Sequence, residues 1–228
     1  ILLFAYVFGS AIPVAGQSYR EFLMPGIFVQ TVIFGATFTG AGMADDIQKG
    51  IIDRFRSLPM SRAAVLVGRT ASDVMINVLT IVIMSLTGLI VGWRIRSSVL
   101  EALGGYLLML LFAYAISWVM ALVGLIVPGP EVVNNAAFIV IFPLTFVANT
   151  FVPTNNFPTV LKAFSDWNPV SAVTQAARDL FGNTTSAQPT PHTWPLEHAA
   201  LYTVLWSIVL VAVFLPLSVR QYRKAASR

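Results

Sequence analysis

The sequence contains no cysteine, which excludes disulfides and thiolate metal sites. Charge is nearly as scarce. Asp, Glu, Lys and Arg make up 11% of the chain, against about 25% in soluble domains. Histidine occurs twice, as His192 and His198, and two imidazoles without a third ligand at suitable spacing do not make a zinc site. No glycine loop ends in Gly-Lys-Ser or Gly-Lys-Thr, so a phosphate cradle is missing too. No basic leader precedes the first apolar run. A cleavable signal peptide is therefore not expected, and Ile1 reads as the interior of a span that begins ahead of this numbering. What is present is 57% hydrophobic with a mean hydropathy of +0.77, the composition of an integral membrane protein.

Polar punctuation divides the 228 residues into six apolar segments, an all-α membrane protein. Residues 1–12 supply about half of the roughly 20 residues that a crossing helix needs. Further spans are expected at 22–44, 73–92, 102–127, 132–152 and 199–219. The span at 22–44 carries Gly26, Gly35, Gly40 and Gly42, small residues that let helix backbones approach closely in lipid. Trp93, Arg94 and Arg96 mark an interface with water, and Val127-Pro128-Gly129-Pro130 breaks the fourth span. In the fifth, Asn134, Asn135 and Asn149 are expected to face protein or a cavity. Residues 153–197 are too long for a simple turn. Within them 159–167 and 170–181 read as short external helices separated by Asn168-Pro169. The Asn183-Thr184-Thr185 triplet matches a glycosylation sequon, a pattern common by chance. No soluble domain interrupts this plan, so 1–228 reads as one transmembrane domain.

The stretch 45–69, between the second and third spans, stands out by its charge. On a helical wheel Ile47, Ile51, Phe55 and Leu58 share one face, and Lys49, Asp53, Arg56 and Ser57 the other. Pro59 cannot continue a helix, and Ser61 can cap the next one, which begins at Arg62 and returns into the membrane. The expected result is an amphipathic helix, about 18 Å long, lying flat at the membrane surface. Two readings stand: an interfacial connector, or a handle gripped by a soluble partner.

Lys49, Arg54, Arg56, Arg62 and Arg69 lie in this stretch, and Arg220, Arg223, Lys224 and Arg228 in the tail. Four spans separate the two groups, so both fall on one face. Arg20, Arg94, Arg96, Lys162 and Arg178 are left for the other. The positive-inside rule makes the richer face cytoplasmic. Anionic headgroups there account for the net charge of +4 without nucleic acid. No acid, base or histidine is expected deep in a span; Asp73 and Arg69 are placed at the cytoplasmic edge, in reach of water. A mid-bilayer charge costs at least ~2.5–3.5 kcal/mol, and ion-coupled carriers keep such groups for their work. A secondary carrier or channel working without an ATPase is therefore the alternative rather than the first reading. No catalytic residue or metal ligand is assigned, and the energy for transport must enter from a partner.

The run Asp46-Ile47-Gln48-Lys49-Gly50-Ile51-Ile52-Asp53-Arg54-Phe55-Arg56-Ser57-Leu58-Pro59 resembles the signature of ATP-binding cassette type-2 exporter permeases, daunorubicin-resistance branch. Phe22-Leu23-Met24-Pro25-Gly26, Phe142-Pro143-Leu144-Thr145-Phe146, Phe151-Val152-Pro153 and Asn168-Pro169-Val170-Ser171 fall in that family's order and spacing, so the resemblance covers essentially the whole chain. It implies a six-helix permease of the bacterial plasma (inner) membrane that exports drugs, polyketides or lipids. It further implies a second permease copy, most simply as a homodimer, and two separate ATPase subunits that hold ATP and Mg. Residues 46–59 then become the coupling helix. Within it Asp46, Gly50, Ser57 and Pro59 belong to the motif, Ile51, Phe55 and Leu58 form the docking face, and Arg54 and Arg56 make ionic contacts.

The transport path is expected where the second and fifth spans of two copies face each other. Phe138, Phe142, Phe146 and Asn149 recur at three-to-four spacing on the fifth span, and Gln30, Phe34 and Phe38 on the second. Such stripes either pack helices or line an apolar cleft for an amphiphilic cargo. The helices around 158–181 are expected to form an outer lid.

Overall fold

A computed structural model describes residues 6, 14, 16, 18–50, 62–154, 157–185 and 192–225. The first expected span, apart from Tyr6, and the handle residues 51–61 lie outside the described residues. Among the described residues the chain is helical, without strands. The helices are α1 (Tyr19–Gln48), α2 (Arg62–Val91), α3 (Val99–Ile126), α4 (Pro130–Val147), α5 (Thr159–Trp167), α6 (Pro169–Leu180), α7 (Trp194–Glu197) and α8 (Ala199–Ala225). Five of them (α1, α2, α3, α4 and α8) contain stretches long and apolar enough to cross a membrane.

Local chemistry sets the ends of these helices. Ser18 caps α1 by accepting from the Arg20 amide, and α3 opens with a capping box in which Ser98 and Glu101 bond each other's backbone N–H. Pro130 occupies the first turn of α4, where its missing N–H costs nothing. At its far end α1 runs through Asp45, Asp46 and Gln48, past the 22–44 span expected from hydropathy. No breaker intervenes until Gly50, which turns the chain with φ of +65°. Asp46 therefore belongs to the last turn of α1. Of the coupling helix expected at 46–59, residues 46–48 are part of α1, Lys49 and Gly50 form the turn that follows, and 51–59 lie outside the described residues.

The bundle is built around α1, which is buried along most of its length and packs most extensively against α3. Glycine makes that approach possible. A β-carbon on Gly40 would meet the Met120 carbonyl at 2.6 Å, and one on Gly124 would overlap the Gly40 carbonyl. The core between α1, α3, α4 and α6 holds Phe28, Ile33, Met109, Phe112, Val133, Ala137, Val173 and Phe181. Phe28, Trp93 and Phe181 meet edge to face in pairs, with centroids 5.2–6.5 Å apart.

Helix α6 does not form the surface lid expected from the sequence. Residues 170–178 are all buried, and α6 lodges among α1, α3, α4 and α8. Its alanines and valines face apolar neighbours, while Ser171, Gln175 and Arg178 reach into a polar core. Helix α5 has its polarity reversed. Ser165 and Asp166 point inward, whereas Val160, Leu161, Phe164 and Trp167 are exposed.

Candidate functional site

The first of two regions is an aromatic face on α1 and α4. Phe138, Phe142 and Phe146 stack in sequence at 4.8 and 4.3 Å between centroids, the i, i+4 spacing of one helix face. Phe34 of α1 meets Phe138 at 6.5 Å. The Gln30 amide reaches Thr145 Oγ1 at 3.4 Å, joining the two helices beside the ladder. Phe38, one turn beyond Phe34, is 68% exposed, Phe138 56% and Phe146 43%. A ladder used entirely for packing within the bundle would be covered; this one looks outward.

Asn149 does not join the ladder. α4 ends at Val147 because Ala148 turns extended (ψ 163°), so the helical period stops two residues short of Asn149. Its amide enters the polar core instead, where the backbone N–H donates to Ser171 Oγ at 3.2 Å and Nδ2 faces Gln175 Oε1 at 3.4 Å. The next rung is Phe151, 4.9 Å from Phe146 and held by the Tyr19 hydroxyl, which donates to its carbonyl. Helical spacing could not reveal Phe151, because it lies past the break.

The polar core is centred on Arg178, which sequence counting places among the charges of the outer face. Only 2% of it is exposed. Nε donates to the Phe22 carbonyl at 2.9 Å, and Nη2 to those of Asn149 and Thr150 at 2.6 and 3.1 Å. The guanidinium also lies 3.7 Å over the Phe22 ring. Burial lowers its pKa to about 9, the Asp179 carboxylate opposing the shift, so the group is charged at neutral pH. Asp179 itself is pushed up by burial and held by Gln175 Nε2 at 2.9 Å. Close by, Asn183 is buried, accepting from Trp93 Nε1 and donating to the Arg94 carbonyl, which explains its place in the sequence without glycosylation.

The second region is the end of the bundle that leads into the handle. Met43 and Ile47 of α1, Leu125 of α3, and Val219 and Tyr222 of α8 share one cluster there, so the tail helix and the handle stem end together. Asp46 pairs with Arg69 of α2 at 3.2 Å, and Lys49 with Asp45 at 2.6 Å. Gln48 Nε2 donates to the Pro128 carbonyl at 2.8 Å, tying α1 to the turn between α3 and α4. Of the coupling residues expected from the sequence, Asp46 and Gly50 stand at this end. Ile51, Arg54, Phe55, Arg56, Ser57, Leu58 and Pro59 lie outside the described residues. Asp73 departs from expectation. It is 6% exposed, packed between α1 and α2, and accepts a hydrogen bond from the Thr39 hydroxyl. Hydropathy places Asp73 at the rim of a span; α2 begins eleven residues earlier, at Arg62, which draws it inside.

Residues 1–181 match the model of the ABC-2 type transporter family. Over 223 residues the chain is 34% identical to the daunorubicin resistance ABC transporter permease protein DrrB1 of Streptomyces coeruleorubidus, covering 98% of this chain and 75% of that protein. It is 25% identical over 156 residues to the probable doxorubicin resistance ABC transporter permease protein DrrC of Mycobacterium tuberculosis, covering 68% of this chain and 56% of the relative. A multi-pass helical bundle, the family match along most of its length and the near-complete alignment with a permease lead to one assignment: the chain belongs to the ABC-2 type transporter family.

Proposed function

We propose that this chain is the membrane-spanning half of an exporter for hydrophobic or amphiphilic compounds (drug, polyketide or lipid), driven by separate ATPase subunits that hold ATP and Mg. Two copies form a homodimer in a bacterial plasma membrane, with the handle and tail in the cytoplasm. The observation that carries the reading is the outward-facing ladder of Phe138, Phe142 and Phe146 beside Phe34 and Phe38. Two such faces opposed across a dimer axis enclose an apolar, π-rich cleft, suited to flat amphiphiles. Relatives named for daunorubicin and doxorubicin resistance support that cargo class. Nine of the 14 basic residues belong to the handle stretch and tail, which supports the cytoplasmic orientation.

In the proposed mechanism the ATPase grips the coupling helix through Ile51, Phe55 and Leu58, with Arg54 and Arg56 pairing to acidic groups. Pro59 stiffens the joint to α2, so nucleotide-driven motion of the grip tilts the stem and alters the spacing of the facing ladders. The test is transport by proteoliposomes that contain the permease and its ATPase. Phe142→Ala with Phe146→Ala should change relative rates among cargoes by about tenfold, the loss of roughly one or two aromatic contacts, while ATPase pull-down stays constant. Unchanged rates for every cargo would remove the ladder from the path. The buried Asp73 favours one second reading, an ion-coupled carrier. Uptake driven by an ion gradient in liposomes holding this chain without an ATPase would establish it and overturn the first.

A further inference from the structure

α1 and α2 are the helices that enter and leave the handle, and a single antiparallel register joins them. Far from the handle a β-carbon on Gly88 would meet Met24 Cε at 2.6 Å, and Val32 and Ile81 share a buried cluster. Toward the handle the same register turns polar. A β-carbon on Gly35 would meet Asn77 Oδ1 at 2.7 Å, Thr39 donates to Asp73, and a β-carbon on Gly42 would overlap the Arg69 guanidinium. Asp46 then pairs with Arg69 at the last turn. Gly35 and Gly42 of α1, two turns apart, thus make room for the polar side chains of Asn77 and Arg69 on α2.

Adhesion alone does not require this chemistry, since small and apolar residues join helices in lipid well. A buried polar pair does something else: it fixes register, because a slip strands each group without its partner. Thr39–Asp73 is such a pair, and the half-buried Asp46–Arg69 pair extends the seam toward water. Here a shift by one turn would carry Asp73 away from the Thr39 hydroxyl and press the Arg69 guanidinium on a position that lacks the gap at Gly42. We propose that the seam of Thr39–Asp73 and Asp46–Arg69 is a register lock, which makes α1 and α2 one rigid stem carrying the handle. Asp73 is a positioning residue that never touches the ATPase or the cargo. The inference rests on the ATPase-driven reading above, and its test separates the two.

Because the chain has no cysteine, introduced pairs report register directly in membranes. Val32→Cys with Ile81→Cys should form a disulfide at least about tenfold faster than Val32→Cys with Ser85→Cys, one turn out of register. That preference should survive Asp73→Asn, which keeps an acceptor for Thr39, and collapse in Asp73→Leu, the loss of a buried hydrogen bond being worth about tenfold. An undiminished preference in Asp73→Leu overturns the lock, whether or not an ATPase is bound. In the assembled complex, vanadate-sensitive ATP turnover per complex should fall about tenfold in Asp73→Leu and stay within about twofold in Asp73→Asn, at equal ATPase pull-down. With the Val32–Ile81 disulfide closed, wild-type turnover should persist. If closing it stops turnover, α1 and α2 slide past one another and the rigid stem is wrong. A register result as expected, in a chain that recruits no ATPase, would overturn the proposed function and leave the stem standing.

Discussion

Arg178 holds its charge in the interior by spending every assigned hydrogen bond on backbone carbonyls rather than on a carboxylate. Those carbonyls come from the first turn of α1 and from the two residues after the C-cap of α4, so a single side chain fastens three helices. Hydrogen bonds to a charged group contribute about 1.5–3 kcal/mol each. Lysine has no planar fork and serves fewer of these acceptors. Arg178→Met should destabilise the solubilised protein by at least ~3 kcal/mol, and Arg178→Lys by part of that, read as a lowered Tm with unchanged helical content. Equal melting of all three proteins would remove Arg178 as the fastener. Asn149 shows the same influence from the other side. Its carbonyl is drawn to Arg178, the helix stops before it, and a residue that periodicity assigns to the aromatic stripe becomes part of the polar core.

Among the elements, α1 is governed by its small residues. Gly40 and Gly124 stand backbone to backbone where α1 crosses α3, so Gly124→Ala must push the helices apart, at a cost of about 1–3 kcal/mol. Gly68 of α2 is different, because a methyl group added there would have nothing within 4 Å of it. Gly68→Ala should therefore gain about 0.5–1 kcal/mol from helix propensity. Opposite shifts of Tm in these two variants are the expected outcome; a stabilised Gly124→Ala would deny the close crossing. Gly40 is legible in the sequence as a packing residue, together with Gly26, Gly35 and Gly42, because spacing on one helix is a local property; its partner Gly124 is not. The helix α6 is legible as a helix but not as the buried hub of the far end. Its polar stripe of Ser171, Gln175 and Arg178 looks identical whether it faces water or an internal network, and only the neighbours decide. Asp73 is misplaced by sequence for a related reason. Hydropathy marks where lipid begins, whereas helix packing marks where water ends.

At the scale of the molecule, α2, α4 and α8 each leave a broad apolar face uncovered, yet the three faces differ in kind. Those of α2 and α8 are aliphatic, with Leu79, Ile83 and Leu86 on one and Ile208 and Val209 on the other. That of α4 adds Phe138 and Phe146 to the aliphatic Ile139 and Val140, and its aromatic side continues onto Phe38 of α1. Aliphatic surface suits acyl chains, while the aromatic face is the one proposed above to meet a second copy. Phe138→Cys should therefore give an intermolecular disulfide dimer in native membranes, and Ile83→Cys should not. Equal dimer yields at the two positions would remove α4 from the dimer axis.

The bond from Gln48 to the Pro128 carbonyl carries a last consequence. Pro128 stands two residues ahead of the helix that bears the phenylalanine ladder, joined to Pro130 through Gly129 alone, whose backbone is extended as the following proline favours. Whatever displaces the closing turn of α1 is thus relayed into the root of α4 by a second route, independent of α2. The gap between opposed ladders would then be steered at both edges at once, so that its width and its tilt change together rather than in succession.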